Sequence, residues 1–353
     1  MTARDTVAEC YFLDVGQGTS NVILFGDRRA MVIDCSSYAR IPLTLLRRYV
    51  DRIVALVVSH NDRDHHGGAA GIVAAYPRAI DRVYFLQDRP VEQIGLYAVV
   101  QDALQRGLML NPPIRLERQE EPRVLFEDGD ADLSLELMFP TFIDNLEAQA
   151  VGSPNATSGV LALLCGRRKI VFSGDSTLAD WQLIQRRLAS PVSCDVLTVP
   201  HHGGNIVTRR QRQETPRQYE ARVRSELDWL YARAVHCRQA VISVSTSNQY
   251  RHPNQLAVAA LRKSLTTTLC TQVTRQCHDD LESLRPGVIR PPAPSRSTGR
   301  PDFTGRGHSR NVACAGTVIC EVGPRQVRIR DLDVHQQAVD RIAAQPVGHP
   351  LCR

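Results

Sequence analysis

No stretch of the 353-residue chain approaches the roughly 20 apolar residues that span a bilayer, so membrane insertion is not expected. The opening Met1-Thr2-Ala3-Arg4-Asp5 lacks the apolar core of a secretion signal, and a soluble, cytoplasmic protein is the default expectation. The ten cysteines contain no CxxC pair. Without a secretion signal they read as reduced core residues, and a structural zinc among Cys270, Cys277, His278, Cys314 and Cys320 is less expected than packing. His335 and His349, in the tail, read as surface residues. Aromatic residues make up only 5% of the chain, which disfavours a base-stacking platform for single strands. Low hydrophobicity is not among the deficits: 43% apolar residues exclude a disordered chain and supply a sizeable core.

Charge is unevenly placed. The net charge is +6, yet residues 207–224 hold six Arg against Glu214 and Glu220, and residues 285–310 hold six Arg against Asp302. Concentrated Arg suits a polyanion, so nucleic acid is the expected partner of these Arg-rich segments. A protein partner is not specified by the sequence.

The most informative stretch is Ser59-His60-Asn61-Asp62-Arg63-Asp64-His65-His66-Gly67-Gly68. It follows Ile53–Val58, an apolar β-branched run that reads as a buried strand. Alternate residues of an extended segment point the same way, so His60, Asp62 and Asp64 converge, and His65 joins them as the chain turns. Imidazole and carboxylate are ligands of divalent metals. Three more apolar strands end in polar donors, at Asp175, at His201-His202 and at His252. The arrangement suggests two ions, one on His60 and Asp62 and one on Asp64 and His65. Asp175 is the natural bridge, and the His201-His202 pair supplies a closing imidazole.

The rest of the chain alternates short strands and helices. A three-strand meander (Cys10–Val15, Asn21–Phe25, Met31–Asp34) leads to helices over 42–50, 66–76, 91–105, 178–188 and 254–263. Residues 112–132 read as turn-rich. A basic insertion near 205–234 belongs to a main domain over 1–285. Residues 286–311 read as a Pro/Arg/Gly/Ser-rich loop or linker, and 312–353 as a terminal β-hairpin and tail packed on that domain.

Seven ordered pieces carry a family resemblance: Phe12–Gly18, Val32-Ile33-Asp34, Ser59–Gly68, Asn155-x-x-Ser158, Phe172–Asp175, Val199–Gly203 and Ser247-Asn248-x-Tyr250-x-His252-Pro253. Together they resemble the metallo-β-lactamase fold superfamily, with its H-x-[H/D]-x-D-H signature and downstream Asp and His. More narrowly, they resemble the soluble nuclease-type domain of the ComEC DNA-uptake protein and its stand-alone relatives. The resemblance covers roughly residues 8–270. It implies an α/β fold, a four-layer αβ/βα sandwich of two mixed sheets flanked by helices, and it favours His202 over His201 as the ligand. Asp62 stands where the general superfamily has His, which fits the ComEC-like branch. No His lies between His66 and His201, and Asn155 occupies that region instead.

The resemblance implies a phosphodiesterase or nuclease acting on DNA through a metal-activated hydroxide. The expected metal ligands are His60, Asp62, Asp64, His65, Asp175 and His202, holding two divalent ions (Zn²⁺ or Mn²⁺, with Mg²⁺ also compatible). Asp64 orients the water, and His252 gives a hydrogen bond or proton to the phosphoryl or leaving oxygen. Asn155, Ser158, Asn248 and Tyr250 are neutral donors for a phosphate pocket, with His201 close to the substrate. Two alternatives stand beside this reading: a small-molecule ester hydrolase of the same fold, and a non-catalytic metal-binding partner in a defence or DNA-processing system.

Overall fold

The computed structural model describes residues 6–85, 94–109, 111–119, 121–151, 157–281 and 311–352. Asn155 and the basic segment 285–310 lie outside the described residues.

Strands β1 (Ala8–Phe12), β2 (Ser20–Phe25) and β3 (Arg29–Cys35) form the antiparallel meander read from the sequence. Helix α1 (Arg40–Tyr49) crosses to β4 (Arg52–Val57), which runs parallel to β3. Two short helices follow, α2 (Arg63–His66) and α3 (Ala69–Ala75); α3 is the helix expected over 66–76, and α2 forms a separate turn before it. The break has a steric cause. A Cβ at Gly67 would sit 2.6 Å from Ser37 Oγ, and one at Gly68 would strike Cys35 Sγ at 2.6 Å, so the glycines let this turn pack against the end of β3. Strand β5 (Val83–Phe85), helix α4 (Ile94–Gln105) and β6 (Ile114–Arg115) extend the sheet in parallel.

The second half reverses that order. Antiparallel β7 (Arg123–Asp128), β8 (Leu133–Phe139), β9 (Val160–Cys165) and β10 (Arg168–Phe172) come first, with α5 (Phe142–Val151) between β8 and β9. Parallel crossovers through α6 (Leu178–Leu188), α7 (Pro216–Trp229) and α8 (Gln255–Lys263) then add β11 (Val192–Thr198), β12 (Val235–Ile242) and β13 (Thr267–Cys270). Strands β14 (Val318–Val322) and β15 (Val327–Ile329) return to the first sheet, where β14 pairs antiparallel with β1, and α9 (Leu332–Ala343) follows. The terminal hairpin is therefore part of the main sheet, shorter than the sequence suggested. The sheet orders are β15-β14-β1-β2-β3-β4-β5-β6 and β13-β12-β11-β10-β9-β8-β7.

Period-two burial builds four layers. Ile23 and Phe25 of β2 enter the core between the sheets, with Leu161 and Leu163 of β9 opposite; Val22 and Leu24 face the layer of α1, α3 and α4. On the far side, Val160 and Ala162 of β9 pack with residues of α6, α7, α8 and α9. The α/β sandwich of two mixed sheets flanked by helices is the architecture read from the sequence. Among the described residues no helix is long and apolar enough to cross a membrane.

Three elements departed from expectation. Residues 112–132 hold β6 and β7, and α5 was not foreseen. In α5, Phe142, Ile143 and Leu146 are exposed, so the apolar stripe that marks a helix is reversed. The tail also differs. His335 is buried in α9 and not on the surface, whereas His349 is exposed. Of the cysteine group considered from sequence, Cys320 pairs with Cys10 across β14 and β1 in the core between the sheets, and His278 bonds Gln345 Oε1 at 2.9 Å.

Asp180 makes a pH test of the helical layer. Thr177 caps α6 in a reciprocal box, and the buried Asp180 carboxylate accepts from Thr177 N at 2.6 Å and Thr177 Oγ1 at 2.9 Å. Burial lifts this carboxyl to about 7, with Asp144 adding to the lift and the Thr177 bonds opposing it. In the unfolded chain it titrates near ~3.9, so the folded state holds the extra proton and stability falls as pH rises from about 4 to 7. In urea melts, Asp180→Asn is expected to gain on the parent over that window by at least about 1.4 kcal/mol, the value of one pKa unit. Parallel curves across the window would show that the carboxylate is already ionised in the folded protein.

Candidate metal centre

The parallel parts of both sheets end at one rim, and five strands deliver polar residues there. β3 ends in Asp34, β4 in Ser59 and His60, β10 in Asp175, β11 in His201-His202, and β12 in Ser243. Loops beyond the carboxyl ends of parallel strands are where α/β sheets place their sites.

Asp34 ties two of these ends together. Its Oδ1 accepts from Ser59 N at 2.7 Å, and its Oδ2 accepts from Ser59 Oγ at 2.8 Å and His65 Nδ1 at 2.7 Å. The residue is buried and left-handed at φ 63°, a conformation Asp tolerates better than most residues. His202 Nδ1 donates to the Ser243 carbonyl at 3.0 Å. His60 Nδ1 lies 3.1 Å from Ser59 Oγ and 3.4 Å from Ser158 Oγ. All three imidazoles thus spend Nδ1 on the protein, which fixes ring orientation and presents Nε2.

What those Nε2 atoms face is Asp175. His65 Nε2 is 3.0 Å from Asp175 Oδ1, His60 Nε2 is 3.6 Å from Oδ2, and His202 Nε2 is 3.7 Å from Oδ1. Asp64 Oδ2 lies 3.2 Å from His202 Nε2, and Asp62 Oδ2 lies 3.6 Å from His60 Nε2. Yet His60 Nε2, His65 Nε2, His202 Nε2 and Asp175 Oδ1 are all buried without a hydrogen-bond partner. The contacts have the distances of ion pairs and the wrong alignment for hydrogen bonds. Four such atoms around one point are costly unless a further group satisfies them, and N/O donors of this kind fit a divalent cation.

Two overlapping donor groups emerge, His60–His65–Asp175 and Asp64–His65–His202. This modifies the expected partition: His65, placed with Asp64 alone by sequence spacing, also lies against His60, the rings tilted at 58° with centroids 4.1 Å apart. The electrostatics agree with charge concentration at the rim. Burial and His65 depress His60, but Asp175 and Asp62 raise it, and the result lies above the usual imidazole range. Burial opposes ionisation of Asp175, and the surrounding His65, His202 and His60 overcome it, holding the carboxyl well below its usual range.

His201 and His202 occupy consecutive left-handed positions, φ 51° and 55°, which aims the two rings apart. His201 Nε2 stays 3.8 Å from Asp175 Oδ2, and its side chain is about a third exposed, at 30%. His252 sits over Gly204, where a Cβ would lie 2.9 Å from His252 Nδ1, with ring centroids 5.4 Å from His201 and 6.2 Å from His202. Tyr250 stacks on His252 at 5.7 Å and is 60% exposed. Burial, then His202 and His201, push His252 down to about 4.

Two expected substrate donors have other partners. Ser158 is fully buried, and its Oγ accepts from Asp175 N at 2.8 Å, so it braces the carboxylate from beneath. A Cβ at Gly174, at φ 51°, would collide with that hydroxyl. Asn248 donates to the carbonyls of Ser245 and His252 and accepts from His252 N at 2.9 Å, which closes the loop that carries His252. Both side chains bond to the backbone that carries rim residues. Sequence reasoning gave no role to Asp34 or to Gly18, although both stand in matched pieces. A Cβ at Gly18, at φ 113°, would lie 2.5 Å from the Asp64 carbonyl, and Thr19 N donates to that carbonyl at 3.0 Å. The signal was a polar residue or glycine directly at the end of an apolar strand.

The model of the metallo-β-lactamase superfamily matches residues 13–216, more than half of the chain. No curated protein matches. Solved structures similar to this chain include the metallo-β-lactamase fold protein YhfI from Bacillus subtilis, 14% identical over 75% of this chain and 96% of that one, with a TM-score of 0.44. Igni18, a metallo hydrolase from the archaeon Ignicoccus hospitalis, is 14% identical over 74% of this chain and 94% of its own, with a TM-score of 0.43. CmlA, a diiron β-hydroxylase from Streptomyces venezuelae, is 12% identical over 74% of this chain, with a TM-score of 0.42; the match spans 52% of CmlA, about half its length.

Because Asp34 is the shortest contact of His65 Nδ1, at 2.7 Å against 3.4 Å for Ser59 Oγ, and sets the tautomer, Asp34→Asn is expected to weaken divalent-cation binding about 10- to 100-fold. Competition against a chromophoric chelator reads this directly. Unchanged affinity would mean that packing alone orients His65.

Proposed function

The chain belongs to the metallo-β-lactamase superfamily, and from that premise we propose that it is a divalent-metal phosphodiesterase acting on DNA. The observation that carries the reading is the set of four unpartnered buried atoms, three imidazole nitrogens and one carboxylate oxygen, gathered at an open rim. His60, His65 and Asp175, with Asp62 beside them, would hold one ion, and Asp64, His65 and His202 would hold a second. Ions bound there supply a water of lowered pKa and neutralise charge on phosphoryl oxygens.

The chain's own residues do the rest. Asp64 is held ionised despite its burial, by His202 and His65, and its carboxylate remains about one-third exposed, so it accepts a hydrogen bond from the attacking water and directs the oxygen lone pair at phosphorus. His252, depressed to about 4, is a neutral imidazole near pH 7. It therefore stabilises the phosphoryl or leaving oxygen by hydrogen bonding and is not a reservoir of protons. The new P–O bond forms as the opposite P–O bond breaks; the proton given up by the attacking water passes to solvent, and the departing alkoxide takes one from solvent. Tyr250, exposed and stacked on His252, offers a surface against a sugar or base.

DNA is favoured over a small ester by what leaves the centre. Residues 205–215 run directly from His202-Gly203-Gly204, and Arg209 is seven residues on, at most about 25 Å away. Arg209, Arg210, Arg212 and Arg217 are exposed. The Arg-rich stretch is less cationic than its composition suggests, since Arg222 pairs with Glu214 and Glu226, and Arg224 with Glu220. The exposed four suit sequence-independent phosphate contact.

Turnover is to be measured with Mn²⁺, Mg²⁺ and Zn²⁺ against single- and double-stranded DNA, RNA and bis-p-nitrophenyl phosphate. Asp64→Ala and Asp175→Ala should each lose at least about 100-fold. His252→Asn is expected to keep its metal and lose about 10²–10³-fold in kcat. Cleavage of the small ester with none of any nucleic acid would replace DNA by a small phosphodiester, and no turnover despite bound metal would end the enzymatic reading. Replacing Arg209, Arg210 and Arg212 by Ala should lower the salt-dependence slope of DNA binding by roughly 2–3. An unchanged slope removes these residues from the interface.

A further inference from the structure

A second group of metal-type donors lies outside the rim, and none of its members belongs to the His–Asp cluster. Cys314, His335 and Cys352 bring a ligand atom each to within 4.8 Å of one another. Cys270 Sγ stands beside this group, 3.4 Å from Cys352 Sγ. The four come from different places: the end of β13, the segment before β14, the first turn of α9, and the tail. Backbone bonds hold the first two together, since Cys314 N donates to the Thr271 carbonyl at 3.0 Å and Ala315 N to the Cys270 carbonyl at 2.8 Å.

We propose that Cys270, Cys314, Cys352 and His335 form a structural zinc site that fastens α9 and the tail to the edge of the second sheet. Three thiols and one imidazole are the ligand set of a closed tetrahedral site. At a Zn–S distance of about 2.3 Å, tetrahedral thiolates stand roughly 3.8 Å apart, close to the separation of Cys270 and Cys352 and far beyond the ~2.05 Å of a disulfide. All ten cysteines are free. The imidazole supplies an independent observation. His335 is 5% exposed, and its Nε2 is buried with no hydrogen-bond partner. A buried polar atom costs stability unless something satisfies it, and three thiols offer only weak hydrogen bonding. Soft thiolates select zinc over the hard cations that suit carboxylate-rich sites. Cys277 stands nearby with its thiol turned to Thr274 Oγ1 at 3.9 Å, so it is not counted as a ligand.

Cobalt substitution distinguishes this site from the rim, because only this group offers thiolates. The full-length chain, purified with reductant and reconstituted with Co²⁺, is expected to show a thiolate-to-cobalt charge-transfer band. Asp175→Ala should retain that band, whereas Cys314→Ser, Cys352→Ser and His335→Ala should lose or shift it. In the zinc-grown parent protein, a mercurial reagent should release roughly one equivalent of zinc per chain, which covers the case in which a Cys314 variant does not accumulate folded. A parent protein without the band, a band that survives both serine variants, or a Cys270–Cys352 disulfide in non-reducing peptide maps of reductant-free protein would each overturn the proposal.

Discussion

Asp175 is the constraint on which the rim depends. A buried carboxylate facing three imidazoles is tolerated only if its surroundings are held in place, because taking charge out of water is expensive. Each neighbour has an anchor of its own: Asp34 for His65, the Ser243 carbonyl for His202, Ser59 and Ser158 for His60, and Ser158 again for the Asp175 main chain. Those anchors sit at the ends of strands from both sheets. The sandwich is thus less a container for the site than the device that sets its distances.

The same logic explains where glycine is needed. Gly18 lets the loop after β1 approach Asp64, Gly174 makes room for Ser158, and Gly204 passes beneath His252. At each of these points a backbone comes closer to a functional side chain than a Cβ would permit. Behind them, Asp14 joins remote parts of the chain, accepting from Gln272 Nε2 at 2.7 Å while its own N–H donates to Thr317 Oγ1 at 3.1 Å.

Much of this was legible in the linear chain. Apolar runs marked β4, β10, β11 and the core of β12, and abrupt changes to His, Asp and Gly marked their ends as a site. Legibility failed where the signal was relational. Asp34 looks like any residue closing a strand until His65, 31 positions on, is seen against it. Ser158 and Asn248 are chemically able to bind phosphate or to brace a loop, and only their partners decide. Helix α5 exposes its apolar residues, and β7 is mostly half-buried or exposed, so neither bears its usual pattern. His335 could not be joined to Cys270, Cys314 and Cys352 by spacing, because the sheet and not a local motif brings them together.

The return of β14 to β1 has a consequence for biosynthesis. Ala8 pairs with Val322 and Phe12 with Val318, and Arg330 forms an ion pair with Glu9. The inner edge of β1 is open from the moment it leaves the ribosome until more than 300 residues have followed it. Such a long-range pairing is slow to form and leaves unpaired strand edge and apolar surface exposed meanwhile. Until then the growing chain leaves exposed an edge that the finished fold covers, and a truncation that spares the whole rim but removes residues 318–322 deprives the first strand of one of its two neighbours.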